Sequence, residues 1–211
     1  MGRRDEEGSV SIVYILTNES MPGYIKIGRT DRDISERMSS LDTTGVPLPF
    51  QCYYAARVEE NATVERILHT AFGDARVRNS REFFRMDPYK ARVILEHIAI
   101  EDATPSDDTS TDSEGKEALE KATRHGSRFD LFKYSIPAGS TLEFTSDRSI
   151  TCQVVDATTV DYRGQKVSIS RAAVLANQDR GGKSTSLTGP IWWLFEGETL
   201  ASIRERLDED W

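Results

Sequence analysis

From Glu101 to Glu117 the chain reads EDATPSDDTSTDSEGKE, a run with no large apolar side chain and a high content of Asp, Ser and Thr. Such a run buries too little apolar surface to offset the entropy of ordering the chain. It therefore reads as an acidic disordered linker, drawn at 101–123. It divides the sequence into a tail at 1–10, a domain at 11–100 and a second domain at 124–211, with no internal repeat. With 211 residues in all, each domain has the length to bury its own core. The hydrophobic fraction of 37% is low for one compact domain, as expected if length is spent on a tether.

The same run carries most of the net charge of −8. Residues 1–100 hold 14 Lys/Arg against 15 Asp/Glu, residues 101–120 hold one Lys against eight acids, and residues 121–211 hold 12 of each. The overall acidity argues mildly against a nucleic-acid partner, but its concentration in one segment leaves room for basic patches on either side. No apolar run approaches the length of a membrane span. The opening MGRRDEEGSV lacks the apolar stretch of a signal peptide and fits a myristoylation signal poorly. Cys52 and Cys152 match no zinc or redox spacing. A reducing, cytoplasmic compartment is the expectation.

The first domain opens with a strand, SIVYILTN, a turn at MPG and a second strand, YIKIGRT, together an antiparallel hairpin. Asp33 and Glu36 form a capping box for a helix with Ile34, Met38 and Leu41 on its apolar stripe. PLPFQCYYAARV reads as a third strand. Asn61 caps the next helix, whose buried face is Val64, Ile67, Leu68, Ala71 and Phe72. Glu65 and His69 share its other side. Asp87 and Pro88 start a last helix. The fold class expected is α+β, a small mixed sheet with flanking helices. The second domain reads as a small α+β module, with strands STLEFT, SITCQVVD and TVDYRG, a helix near Ser170 to Asn177, the segment IWWLFEG and a closing helix from Thr199 to Leu207.

Within the first domain, Tyr14, Lys26, Arg37 and Glu82 are the residue types that phosphodiester hydrolysis needs. Tyr14 serves as base if a nearby metal or cation lowers its pKa from about 10. Arg37 or Lys26 stabilises charge on the phosphate, and Glu82 holds one divalent metal. The plain alternative is a packing tyrosine, a lysine reaching for solvent and two surface charges. Arg76, Arg78, Arg81, Arg85, Lys90 and Arg92 form a basic run suited to DNA phosphates or to ordinary solvated surface, with Arg78 and Arg81 the favoured phosphate contacts.

The order VYI, then KIG, then an arginine on the next helix, then ExxLHxxF, then REFF resembles the GIY-YIG nuclease superfamily, in particular its phage-type DNA-binding subgroup. The resemblance covers roughly Ser11 to Ile98. Val13 and Tyr14 match the end of the GIY motif, and Lys26-Ile27-Gly28 stands at the YIG position. Arg29, a candidate DNA contact, and Thr30 follow it. The sequence departs from the pattern at Ile12, in place of a glycine, and at Lys26, in place of a tyrosine. The resemblance implies that Tyr14 is the general base, that Arg37 binds the scissile phosphate and that Glu82 carries a divalent cation, Mg²⁺ or Mn²⁺. His69 then reads either as a second acid/base or phosphate contact, or as a helix-face partner of Glu65.

The second domain, roughly Phe129 to Leu207, resembles restriction-associated domains that sense adenine methylation. The residues that carry this are the YRG turn (Tyr162 to Gly164), the Ser-x-Ser helix start (Ser168 to Ala173) and the Trp-rich strand. Tyr162, Trp192 and Trp193 are the candidates for stacking a base. On an alternating strand the two tryptophans face opposite sides, so at least one belongs to the core. The expectation is a metal-dependent DNA endonuclease with an appended DNA-reading domain, acting in restriction or DNA processing, with DNA as partner and no membrane. The alternative is a DNA-binding protein that keeps the fold without the chemistry.

Overall fold

The computed structural model describes residues 11–106, 112–125 and 128–209; the tail at 1–10 lies outside them. The chain divides into two compact units, Met1–Thr111 and Asp112–Trp211.

In the first unit β1 (Ile12–Thr17) and β2 (Tyr24–Thr30) form the expected hairpin. They are followed by α1 (Ile34–Leu41), β3 (Gln51–Arg57), α2 (Asn61–Ala71), a 3₁₀ turn at Gly73–Ala75, β4 (Phe83–Arg85), α3 (Pro88–Ile98) and β5 (Glu101–Asp102). The sheet order is β4-β2-β1-β3-β5. The α+β class holds, but each pairing in this sheet is antiparallel rather than mixed. β1 is the central strand. Alternation sends Ile12, Tyr14 and Leu16 to one face, where they pack with Ile34 and Met38 of α1 and with Phe50 and Ala55. Val13 and Ile15 go to the other face and are fully buried. Burial of each such aliphatic side chain contributes about 1.5–3 kcal/mol.

Two helix readings shift. Asp33 caps α1 by accepting from the Ser35 amide at 2.8 Å, while the cap of α2 is Glu60, whose side chain accepts from the Thr63 hydroxyl at 2.9 Å and from no helix amide. Asn61 is instead buried inside the first turn, where its Nδ2 donates to the Thr30 carbonyl at 3.1 Å and to Asp31 Oδ1 at 2.7 Å. That clamp ties the end of β2 to the start of α2. On α2 only Leu68 of the expected buried face is fully enclosed, and Ile67 is half exposed.

The expected linker at 101–123 is structured at both of its described ends. Glu101 and Asp102 pair with Arg57 and Ala56 of β3, the Ala103 amide donates to the Ala55 carbonyl at 2.9 Å, and Thr104 Oγ1 accepts from the Ala55 amide at 3.0 Å. Ser113–His125 forms α4. Asp112 Oδ1 accepts from the Gly115 amide at 2.7 Å at the start of α4, and Leu119 on that helix is buried.

The second unit continues with β6 (Thr141–Phe144), β7 (Asp147–Val154), β8 (Thr159–Tyr162), β9 (Gln165–Ser168), α5 (Ile169–Asp179), α6 (Gly189–Trp192), β10 (Trp193–Phe195), β11 (Glu198–Thr199) and α7 (Leu200–Glu209). Its antiparallel sheet runs β11-β10-β6-β7-β8-β9. The YRG turn is the two-residue loop between β8 and β9, with Arg163 and Gly164 both at positive φ (51° and 82°). This is the backbone that a tight hairpin of right-twisted strands demands. Ser168 caps α5, and the Ser170 hydroxyl accepts from the Gly189 amide at 3.1 Å, so the Ser-x-Ser start joins α5 to α6.

Candidate functional site

The site is built on β2. Lys26 and Gly28 lie opposite Leu16 and Tyr14 in the β1–β2 register, so the side chains of Lys26, Leu16 and Tyr14 leave the face on which Gly28 presents only its backbone. The Tyr14 ring crosses Gly28 so closely that a Cβ there would stand 2.6 Å from its hydroxyl and 2.7 Å from its Cζ. Glycine is required at 28 by packing, not by backbone conformation. From α1, Arg37 Nε donates to the Tyr14 hydroxyl at 3.1 Å.

Tyr14 is fully buried. Burial pushes its phenol above 10.0, and the hydrogen bond and charge of Arg37 pull it down without cancelling that rise, while Glu82 and Glu65 add to it. The neighbouring guanidinium therefore does not make a phenolate. With Arg37 as its neighbour Tyr14 is a neutral hydrogen-bonding group at neutral pH, so a role as base needs a cation beyond Arg37.

Lys26 is buried, at 7% exposure. Its ammonium pairs with Glu82 Oε2 and stands 5.5 Å from the Phe83 ring centroid. A lysine in the middle of a buried strand is thus explained by a carboxylate brought in from the segment before β4. Burial raises the Glu82 carboxyl, but the hydrogen bond and charge of Lys26, with His69 and Arg37 nearby, outweigh it and hold the group below 4.5.

β4 pairs with β2 only from Tyr24 to Lys26. Just beyond, the Ile27 amide donates to the Glu82 carbonyl at 3.1 Å, and the Ile27 carbonyl lies 2.9 Å from His69 Nε2. A carbonyl only accepts, so Nε2 carries a proton. The His69 ring packs 5.0 Å from Phe84, which opposes Ile25 in register. His69 therefore sits on the other face of the sheet from Tyr14 and reaches Glu82 through its field. It is not paired with Glu65, whose Oε2 accepts from Arg29 Nε at 3.1 Å. Arg29 also lies 3.8 Å from Asp31.

Tyr14, Lys26, Arg37, His69 and Glu82, spread over β1, β2, α1, α2 and the approach to β4, are thus linked through hydrogen bonds and electrostatic coupling. Residues 11–99 match the T5orf172 domain. That domain occurs in phage and bacterial nuclease-like proteins. The T5orf172 match contains the whole cluster, from Tyr14 to Glu82, and stops short of the Glu101–Asp102 strand that completes the sheet. No curated protein and no solved structure matches the chain.

The described residues offer a divalent cation no preformed set of three protein ligands. Mg²⁺ and Mn²⁺ take several hard oxygen ligands. Among the described residues no group of three or more His, Cys, Asp or Glu side chains is placed to hold a metal ion. Glu82, the expected metal ligand, is engaged by Lys26.

The basic run separates into two groups. Arg78 and Arg81 are exposed in a turn, closed by the Arg81 amide on the Arg78 carbonyl at 3.0 Å, that leads directly into Glu82. Arg92 is buried, with its guanidinium 4.8 Å from the Tyr54 ring centroid and 3.6 Å from Glu96. Arg76 donates to the Arg81 carbonyl at 2.8 Å and lies over Phe84. Arg92 belongs to the core and Arg76 supports the turn, which removes both from the expected phosphate contacts.

The aromatic candidates of the second unit are interior. Trp193 has no exposure and donates from Nε1 to the Ile169 carbonyl at 3.0 Å. Trp192, at the end of α6, is buried and stacks on Phe144 with centroids 5.5 Å apart. Tyr162 is buried and donates to Asp179 Oδ2 at 2.6 Å. None of the three presents a face for a base, which corrects their reading as stacking residues. The strand-alternation argument fails because Trp192 ends a helix and Trp193 starts a strand. No helix among the described residues is long and apolar enough to cross a membrane.

Proposed function

We propose that the N-terminal unit binds DNA through its phosphodiester backbone, using the sheet face that carries Tyr14 and Lys26 together with the Arg37 guanidinium bonded to Tyr14, with Arg78 and Arg81 as outlying phosphate contacts. The observation that supports this best is the fixed pair of cations. Arg37 is held by Tyr14 and Lys26 by Glu82, so neither side chain must be ordered when an anion arrives. Two positive charges against one carboxylate leave a net attraction for a phosphodiester. In the C-terminal unit, contact with DNA falls to the exposed cations Lys166, Arg171, Arg180 and Lys183 rather than to its aromatics. DNA processing or restriction is the setting that both resemblances suggest.

A second reading is hydrolysis in the manner of a GIY-YIG endonuclease. It is favoured by the Tyr14–Arg37 hydrogen bond, which joins the phenol and the guanidinium that such enzymes use. Arg37 then neutralises charge building on the phosphate, and the Tyr14 hydroxyl hydrogen-bonds the attacking water or a phosphate oxygen.

One assay distinguishes the readings. Full-length protein is incubated with methylated and unmethylated supercoiled plasmid, with Mg²⁺, with Mn²⁺ and with chelator, and scored for gel shift and for nicking. Shift without nicking supports backbone binding. Nicking that disappears in Arg37→Ala establishes the endonuclease. No shift at low salt refutes both.

A further inference from the structure

We propose that Lys26 is the resident cation of this site: its ammonium occupies the Glu82 carboxylate, where a metal-dependent phosphodiesterase places a divalent ion, and the unit engages DNA with no bound metal. The inference rests on the DNA-binding reading for its purpose but stands on its own geometry.

Lys26 and Phe83 are opposite one another in the β2–β4 ladder, and Glu82 immediately precedes Phe83 in the chain. The pair is therefore set by strand register, not by two flexible surface side chains finding each other. The Lys26 side chain has 8% exposure against 38% for Glu82. The ammonium is the inner member and the carboxylate the outer one. The Phe83 ring flanks the ammonium, a placement that favours a cation over a neutral group. A divalent ion arriving at Glu82 either displaces this ammonium from Oε2 and leaves it buried and unpaired, or binds the other oxygen with the ammonium's charge a few ångströms away. Desolvation and like-charge repulsion both oppose that exchange. The described residues contain no group of three His, Cys, Asp or Glu side chains placed to compensate by holding the ion.

The same placement assigns Lys26 a task. Held behind Glu82, the ammonium offsets that carboxylate's repulsion of a phosphate, the part of a metal's work that needs no direct contact. It does so without the pH- and supply-dependence of a metal.

The test is Mn²⁺ titration of the full chain, read as loss of the free-ion electron paramagnetic resonance signal. It is run on wild type, Glu82→Gln, Lys26→Met and the Lys26→Met/Glu82→Gln double variant, with circular dichroism as a check on folding. Weak binding by the acidic run at 101–117 is common to all four and cancels. Wild type and Glu82→Gln are expected to bind Mn²⁺ alike. Lys26→Met is expected to gain a site at least tenfold tighter, lost again in the double variant. Mn²⁺ binding in wild type that is lost in Glu82→Gln overturns the proposal, as does a folded Lys26→Met that gains nothing. If Lys26→Met does not fold, Lys26→Gln replaces it, and the comparison of wild type with Glu82→Gln decides alone. A parallel measurement follows anisotropy of a labelled duplex in Mg²⁺ and in chelator at matched ionic strength, with equal affinities expected. Affinity that requires Mg²⁺ counts against a resident lysine. No binding in either buffer refutes the DNA reading and leaves the Mn²⁺ result standing.

Discussion

The ring of Tyr14 lies across Gly28, its partner on the neighbouring strand, with no room for even a methyl group between them. Gly28→Ala must push the ring off its seat and with it the hydroxyl that Arg37 bonds. Overpacking of this kind costs about 1–3 kcal/mol. Urea denaturation is expected to show that loss, and Arg37 is expected to lose its fixed position. DNA affinity then falls even though residue 28 contacts nothing outside the fold.

The Lys26–Glu82 pair makes a second prediction. Removing one partner of a buried pair costs about 3–5 kcal/mol, and the partial exposure of Glu82 reduces this to about 1–3 kcal/mol. Glu82→Gln and Lys26→Met should each destabilise, and the double variant should lose less than the sum. A double-mutant cycle in urea measures the coupling. Strict additivity would show that the pair is not formed.

Acid stability follows from the same group. The Glu82 carboxyl titrates near 4.5 when unfolded and lower when folded. The folded state therefore binds fewer protons between those values. The stability this group contributes is complete above the unfolded pKa and is lost as pH falls through the folded one. Stability measured from pH 6 to pH 3 should fall more steeply in wild type than in Glu82→Gln.

Arg37 and Arg92 separate function from packing. Arg37→Ala should weaken DNA binding evenly across sequences and reduce the slope of log K against log salt by about 1. Arg92→Met should leave that slope unchanged, because this guanidinium is buried against Tyr53 and Tyr54. A fall in the slope for Arg92→Met would place it at the surface.

In the second unit, Trp193→Ala should cost about 3–5 kcal/mol by opening a core cavity, with a further loss from the unpaired Ile169 carbonyl. Thermal denaturation reads this directly. Weakened DNA binding with unchanged stability would instead make Trp193 a contact residue.

Much of the first unit was legible in the sequence because its signals are local. The hairpin follows from alternating apolar residues around MPG, and α1 and α3 from their caps at Asp33 and Asp87. The members of the cluster were also readable as residue types in a fixed order. Their relationships were not. That Lys26 meets Glu82 depends on the β2–β4 register, which joins segments 56 residues apart. That His69 bonds a backbone carbonyl instead of Glu65 depends on where β4 stops. The aromatics of the second unit were misread because tryptophan and tyrosine serve equally as stacking platforms and as core, and the turns and helix ends around them decide which. The strand β9 was missed because QKVS carries too little apolar alternation to announce itself.

The short pairing of Glu101 and Asp102 with β3 gives the acidic run a task beyond separating two units. A sheet whose outer strand ended at Arg57 would offer bare amides and carbonyls to any passing strand. Two carboxylates laid along that margin, with the Thr104 hydroxyl bonded to the Ala55 amide, seal it with negative charge that repels another copy. A fragment cut at Ile100, where the composition changes, would contain the binding cluster intact and yet self-associate. A fragment carried through Thr104 should stay monomeric in solution.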